Sequence, residues 1–260
     1  MLAPSHLPHS YDAWNRRWGA PFGTKWRHVV PRKHRFRWGL AHLVGPFGLQ
    51  TNNTTRAFEY PWAYEALQAR PAMRVLEIGG GNSGFQFVLA RQGCKVLNVD
   101  PGEQAHGKGW AVSPKSIGLL NRRFGTDVEL HHGFVQDAKL PAGSFDRVVS
   151  ISTLEHVPEP EIAVILQEIR RLLRPGGLLV LTLDLFLDVH PFAEAEHNRY
   201  GKNVSARWLV EQSGLELLVG KPTELYGFPQ FSVQTVLGRQ SELLVGEGYP
   251  AMVQALVLRR

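Results

Sequence analysis

The sequence predicts an α/β protein with a doubly wound, mostly parallel seven-stranded sheet, an antiparallel last strand, and an N-terminal basic aromatic arm and lid. Strand and helix patterns alternate from residue 71 to the end of the 260-residue chain, as in parallel sheets covered by helices on both faces. A glycine-rich turn follows the first of these strands directly. With 43% hydrophobic and 20% charged residues, the chain can bury a large core, which excludes a disordered protein.

Seven segments have the apolar composition of buried strands. They are residues 73–79, 95–100, 128–133, 145–152, 178–185, 215–220 and 252–260. Helices are predicted at 54–70, with a kink or a fresh start at Pro61, and at 84–91, 158–173 and 205–213. Apolar residues recur at helical spacing most clearly in 158–173. The glycine-containing region 101–127 has no clear pattern, and no element is predicted in most of it.

Charge divides the chain into two parts, an arm with a lid helix at 1–70 and a cofactor-binding domain at 71–260. The arm holds 10 Lys and Arg against 3 acidic residues, and five of the seven tryptophans. Basic residues interleaved with Trp14, Trp18, Trp26, Phe36 and Trp38 suit an anionic partner, such as RNA or a membrane surface, or a pocket for an acidic small molecule. The alternative is a solvated arm whose tryptophans pack against the core.

The cysteine count and the hydropathy indicate a cytoplasmic protein. Cys94 is the only cysteine, so it has no partner for an intramolecular disulfide. The longest apolar stretch, at 176–187, is too short to span a bilayer and contains Asp184. Nothing at the N-terminus resembles a secretory signal, and we therefore expect a reducing compartment.

The segment VLEIGGGNSGF at 75–85 is the strongest local signal. Gly79, Gly81 and Gly84 have the spacing of a nucleotide-binding turn between a strand and a helix, although an ordinary tight turn has the same spacing. Asp100 ends the next strand and could accept hydrogen bonds from both hydroxyls of an adenosine ribose. Glu77 precedes the loop and favours a cationic ligand over a pyrophosphate, which argues against NAD.

Four segments in order over residues 71–185 resemble motifs of the class I S-adenosylmethionine-dependent methyltransferases, in their small-molecule branch. These are VLEIGGGNSG, VLNVDPG, GFVQDAKLPAGSFDRVVSISTLEHVPEP and LRPGGLLVLTL. The resemblance implies S-adenosylmethionine as cofactor and S-adenosylhomocysteine as product. The cofactor-binding residues it implies are Glu77, Gly79, Gly80, Gly81, Asn82, Ser83, Asp100, Pro101, Asp137, Ala138 and Ser152. Ser83 departs from the family pattern, because it stands where most members have a third glycine.

His156 is the predicted catalytic base, because an imidazole titrates near neutral pH and its loop follows the fourth strand. The alternative is that Glu155 and His156 only fasten this loop. The predicted substrate-binding residues are Tyr60, Trp62, Glu155, Asp184 and His190. Glu155 and His156 also resemble the metal site of RNA 2′-O-methyltransferases, but Ser152 replaces its first glutamate, and no metal is predicted.

The predicted function is methyl transfer from S-adenosylmethionine to an oxygen or nitrogen of a small-molecule acceptor, such as a specialised metabolite. One alternative is an RNA methyltransferase that uses the basic arm to bind its substrate. Another is a non-catalytic binding protein that retains the cofactor fold.

Overall fold

The computed structural model describes residues 1–30, 38–102 and 112–260. Seven strands form one sheet in the order β3-β2-β1-β4-β5-β7-β6. The strands are β1 (Arg74–Ile78), β2 (Lys95–Asp100), β3 (Glu129–His132), β4 (Phe145–Ile151), β5 (Leu173–Phe186), β6 (Glu216–Val219) and β7 (Ala251–Arg259). Strands β1 to β5 pair in parallel, and β7 is antiparallel to both neighbours. The predicted fold class is confirmed.

Helices lie before the first strand and between the strands. They are α1 (His9–Trp18), α2 (Ala41–Val44), α3 (Arg56–Leu67), α4 (Gly84–Arg91), α5 (Pro114–Phe124), α6 (Glu159–Leu172), α7 (Ala206–Ser213) and α8 (Val233–Gly238). None of the helices among the described residues is both long and apolar enough to cross a membrane.

Helix α5 lies in the region where the sequence predicted no element. Ser113 and Ser116 form a reciprocal capping box at its start, and Pro114 occupies the first turn. Ile117, Leu120 and Phe124 are buried on one face of the helix. The sequence interpretation of this region was wrong, because it gave more weight to the surrounding glycines than to the capping signal.

The arm shares one hydrophobic core with the sheet. The Trp14 ring lies 5.8 Å from the Phe47 ring, 5.6 Å from Tyr64 and 6.5 Å from Phe85 of α4, measured between centroids. Aromatic contacts of this kind stabilise a core beyond the area that they bury. These contacts join the arm to the cofactor-binding domain across the predicted boundary at residue 70.

A proline in the middle of α3 explains how α1 is attached to it. Pro61 has no N–H, so the carbonyl of Ala57, four residues earlier, lacks its usual helical donor. The side-chain amide of Asn15 on α1 donates to this carbonyl at 2.7 Å. The defect in one helix thus provides the acceptor that anchors another, and α3 continues through Pro61.

Candidate active site

A cavity of about 540 Å³ lies at the carboxyl ends of β1, β2 and β4, where ligands bind in open α/β sheets. Its wall combines residues of the arm, the strand ends and the loops before β7. The wall includes Asn52, Arg56, Tyr60, Glu77, Gly79, Gly80, Ser83, Asp100, Pro101, Ser152, His156, Arg199, Tyr200 and Tyr249. Eight of the predicted cofactor or catalytic positions therefore lie on one surface: Glu77, Gly79, Gly80, Ser83, Asp100, Pro101, Ser152 and His156.

The glycine-rich loop needs its first glycine for steric reasons. Gly79 has φ 72°, and a Cβ there would lie 2.2 Å from the Cγ2 of Thr153. A side chain at this position would therefore collide with the loop after β4. Because Gly79 has no side chain, the loop backbone can lie against Thr153 and line the cavity directly.

Ser83 fits the loop without backbone strain. Its φ of −55° and ψ of 141° suit an ordinary residue, and its hydroxyl accepts a hydrogen bond from the Phe85 N–H as the N-cap of α4. The following Gly84 allows close packing, since a Cβ there would lie 2.8 Å from the Phe47 ring. Ser83, which replaces the third glycine of the family pattern, thus caps the N-terminus of α4.

Two buried amides hold the loop from below. The Oδ1 of Asn98 accepts from the Gly80 N–H at 3.2 Å, and its Nδ2 donates to the Gly81 carbonyl at 2.9 Å. The Nε2 of Gln86 donates to the Gly81 and Ser83 carbonyls at 3.0 Å each. Both amide side chains are fully buried. We missed them in the sequence, although a lone asparagine in the apolar strand KVLNVD was a usable signal.

Glu77 is a buried carboxyl group that lacks a partner for one oxygen. It is 2% exposed, and its Oε2 has no hydrogen-bond partner among the described residues. Burial, and secondarily the charge of Asp100, raises the pKa of Glu77 to about 8. A cationic group of a ligand beside Glu77 would satisfy this oxygen and favour the ionised form.

Asp100 faces the same loop from the end of β2. Its two oxygens accept from the Gly81 N–H at 2.7 Å and from the Gly102 N–H at 2.6 Å. Burial raises the pKa of Asp100, and these two hydrogen bonds oppose that increase. The carboxylate lines the cavity and retains lone pairs for ligand hydroxyls. With Glu77, it fits a ligand that carries both an ammonium group and a ribose, as S-adenosylmethionine does.

A buried ionic network lies behind the other end of the cavity. The Arg56 guanidinium pairs with Glu59 and lies 3.7 Å from the carboxylate of Asp184. The Ser152 and Thr182 hydroxyls each donate to Glu59 at 2.6 Å. The network joins α3 to the ends of β4 and β5, and Arg56 was not among the predicted site residues.

Glu155 and Asp184 belong to this network and lie behind the cavity wall. The Asp184 backbone N–H donates to Glu155 at 2.8 Å, and the Tyr249 hydroxyl donates to the Asp184 carboxylate at 2.5 Å. Burial raises the pKa of Asp184 to about 6 against the opposing effect of Arg56. Burial also raises the pKa of Glu155 well above its usual value. Both acids therefore support the wall residues Arg56 and Tyr249.

His156 lies in the cavity wall at the end of a short 3₁₀ turn, Leu154–His156. Its Nδ1 contacts the backbone carbonyl of Tyr200. Since a carbonyl can only accept, Nδ1 carries the proton, and Nε2 is the basic nitrogen of the neutral ring. This is the tautomer that a general base requires.

The remaining predicted residues have different locations. Tyr60 lines the cavity and donates to the Asn52 side chain at 3.1 Å, whereas Trp62 is buried in the core and stacks on Phe58. Those outside the described wall are Trp62, Gly81, Asn82, Asp137, Ala138, Glu155, Asp184 and His190. Asp137 and His190 are exposed. Within the described ranges, three or more His, Cys, Asp or Glu side chains nowhere cluster as a metal site would require.

The sheet order, the glycine loop and the two carboxylates at the ends of β1 and β2 define a class I S-adenosylmethionine-dependent methyltransferase. A family model described as a methyltransferase domain matches residues 53–219. The chain belongs to this family, and the class predicted from the four motifs is confirmed.

Curated relatives are O-methyltransferases of ubiquinone biosynthesis. The protein of Hahella chejuensis is 32% identical over 111 residues, which is 42% of either chain. That of Xanthomonas axonopodis pv. citri is 33% identical over 121 residues, or 46% of either chain. The chain thus matches less than half of the length of these relatives.

Solved structures share the fold over nearly the whole chain. The [4+2]-cyclase SpnF has a TM-score of 0.57 at 15% identity, covering 92% of this chain and 98% of its own. The 1,6-didemethyltoxoflavin-N1-methyltransferase of Burkholderia thailandensis, solved with its substrate and S-adenosylhomocysteine, has a TM-score of 0.52 at 17% identity. It covers all of this chain and 94% of its own. At these identities the likeness concerns the fold alone.

Proposed function

We propose that this chain transfers a methyl group from S-adenosylmethionine to an oxygen or nitrogen of a small-molecule acceptor in the cytoplasm. The observation that supports this function is that one cavity brings Glu77 and Asp100 together with His156. The names of the curated relatives support O-methylation in particular. S-adenosylmethionine supplies an electrophilic methyl group when it is bound, and the product is S-adenosylhomocysteine.

The protein residues bind the cofactor and prepare the acceptor for attack. Glu77 would pair with the ammonium of the methionine part and Asp100 with the ribose hydroxyls. His156 Nε2 would accept the proton that the acceptor loses as its oxygen or nitrogen bonds to the methyl carbon. The arm residues of the cavity wall, such as Arg56 and Tyr60, would exclude water and help to align the two reactants.

Labelled methyl transfer into a host-cell extract tests the proposed function. The products are separated into low-mass, lipid, protein and nucleic-acid fractions. Label in the low-mass or lipid fraction is expected, while label in nuclease-sensitive material would overturn the small-molecule assignment. Absence of S-adenosylhomocysteine binding to the folded protein in calorimetry would overturn the cofactor assignment.

The role of His156 is tested by the His156→Gln variant. A general base typically contributes about 10²- to 10⁴-fold to the rate, so kcat should fall by about this amount while S-adenosylhomocysteine affinity stays constant. The matched control is His42→Gln, because His42 is exposed on α2 and outside the cavity wall. Unchanged kcat in His156→Gln would leave this histidine with a structural role only.

The arm gives less support to the RNA alternative. Trp14 and Trp18 pack with the core, although Trp26 is 48% exposed, and Phe36 lies outside the described residues. Stacking on bases requires exposed rings. Since the arm completes the core, its charge should be tested with Arg16→Glu and Lys25→Glu substitutions instead of a truncation. Strongly salt-dependent RNA binding that these changes remove would revive the alternative.

A further inference from the structure

The end of the cavity away from the glycine loop is lined with aromatic rings. The Tyr200 and Tyr249 ring centroids lie 4.3 Å apart, and both rings contact Phe186. The hydrogen bond from the Tyr249 hydroxyl to Asp184 holds that ring in place. Fixed rings on a cavity wall favour a planar aromatic ligand, which can pack on their faces or edges.

Arg199 adds a positive charge beside these rings. Its guanidinium carbon lies 4.5 Å above the Tyr200 ring centroid, and it donates to the Tyr200 hydroxyl. Arg199 is exposed and belongs to the cavity wall, so it lies at the mouth. Among the described residues, no carboxylate is at salt-bridge distance from its guanidinium.

The charges of Arg56, Glu59 and Asp184 at this end are already paired with one another or with a hydrogen-bond donor. Arg56 is neutralised by Glu59, and Asp184 accepts from Tyr249. Neither acid belongs to the cavity wall. The cavity wall also contains the carboxylate of Glu161, on α6. Beside the two tyrosine rings, the charged group of the wall is the Arg199 cation.

From this arrangement we infer that the acceptor is a small aromatic molecule that carries a carboxylate. The ring would lie against Tyr200 and Tyr249, and the carboxylate would pair with Arg199 at the mouth. A guanidinium can bind both carboxylate oxygens in its own plane, which fixes the orientation of the ring. The nucleophilic group would then point inward, towards His156. This inference rests on the proposed function and adds the substrate class to it.

Binding of two probes tests the inference without requiring turnover. The protein saturated with S-adenosylhomocysteine is titrated with 4-hydroxybenzoate and with phenol, which differ only in the carboxylate. We expect 4-hydroxybenzoate to bind at least about tenfold more tightly, the usual contribution of a charge-assisted hydrogen bond. Equal affinities, or no binding of either probe, would overturn the inference.

Variants identify the residue that is responsible. Arg199→Gln should weaken 4-hydroxybenzoate binding about tenfold and leave phenol binding unchanged, and Arg199→Lys should lose less. Tyr200→Leu should weaken both probes equally, because it removes the ring and keeps the backbone carbonyl that His156 contacts. The control is Arg207→Gln, since Arg207 is exposed on α7 and pairs with Glu211 at 2.7 Å. Full carboxylate preference in Arg199→Gln would refute the assignment.

The cofactor titration separates the two possible failures. If S-adenosylhomocysteine does not bind to the folded wild-type protein, the proposed function fails together with the acceptor class. If it binds and the probes show no carboxylate preference, only the acceptor class fails. Tight cofactor binding should persist in Arg199→Gln, because the Arg199 guanidinium packs on Tyr200 and donates to its hydroxyl.

Discussion

The two ends of the cavity are built in different ways. The cofactor end comes from one continuous segment, 74–102, and neutral amides such as Asn98 and Gln86 hold it through backbone groups. The acceptor end is assembled from separate parts of the chain and depends on charged side chains around Arg56. Hydrogen bonds between neutral groups hold the backbone in place with a small desolvation cost. A buried charge has a large desolvation cost, which only its oppositely charged partner offsets. The acceptor end should therefore be the more sensitive to single substitutions.

The largest expected effect is that of Arg56→Ala at the acceptor end. The substitution leaves Glu59 and Asp184 buried without their cation, which should lower the free energy of unfolding by about 3–5 kcal/mol. Urea denaturation measures this loss. In Arg207→Ala, which breaks an exposed pair with Glu211, the change should stay below about 1 kcal/mol. Adding Glu59→Gln to Arg56→Ala should restore part of the stability, and a fully additive double variant would contradict the coupling.

At the cofactor end, the largest effect is expected for Asp100→Ala. The change removes two charge-assisted bonds, to the Gly81 and Gly102 N–H groups, and the proposed ribose contact. S-adenosylhomocysteine affinity should fall about 100-fold, as measured by calorimetry. The control is Asp127→Ala, an exposed acid in the turn before β3. A loss below threefold would show that Asp100 only shapes the turn.

A smaller effect is expected for Asn98→Leu, which keeps the volume and removes the amide. The Gly80 N–H then has no acceptor beneath the loop, and a buried donor without a partner costs about 1–3 kcal/mol. Urea denaturation should show this loss, accompanied by weaker S-adenosylhomocysteine binding. Gln212→Leu, an exposed change on α7, should alter neither quantity. An unchanged free energy of unfolding in Asn98→Leu would mean that the glycine-rich loop does not depend on the Asn98 amide.

The difference between the two ends also explains what the sequence could predict. Glu77, the glycines and Asp100 lie within 24 residues, so their spacing along the chain reflects their spacing in the fold. The strands were predicted well because strands of a parallel sheet that is covered on both faces are buried. They therefore appear in the sequence as apolar runs separated by turn residues. In the structure, β2 and α4 have the predicted bounds, while β5 starts earlier, at Leu173.

The acceptor end could not be predicted in the same way. Arg56, Arg199 and Tyr249 are far apart in sequence. The packing of α3, of the loop after β5 and of the loop before β7 brings them to one cavity. Trp62 lies in an aromatic segment of the kind expected in a lid, and it was predicted to bind the substrate. The direction of its side chain, however, depends on the rotation of α3 about its own axis. That rotation is set by contacts such as the Asn15 to Ala57 bond, which the sequence pattern does not reveal.

The smallest predicted effect is a pH dependence at the cofactor end. The pKa of Glu77 is raised from 4.5 to about 8 by burial, so the native protein binds more protons than the unfolded chain between these values. The contribution of Glu77 to the free energy of unfolding therefore decreases as the pH rises through this window. A ligand ammonium favours the carboxylate, so S-adenosylhomocysteine binding should release a proton. Its affinity should rise up to about tenfold per pH unit below pH 8.

Calorimetry in two buffers with different ionisation enthalpies counts the released proton. Glu77→Gln retains the shape of the side chain and cannot titrate, so it should bind S-adenosylhomocysteine more weakly at pH 8 and lose the proton release. Asp184, with a pKa of about 6, belongs to the acceptor end, and Asp184→Asn should leave the proton release near pH 7.5 unchanged. If Glu77→Gln retained the proton release and Asp184→Asn lost it, the titrating group that senses the cofactor would lie at the acceptor end. The two ends would then be electrostatically coupled instead of independent.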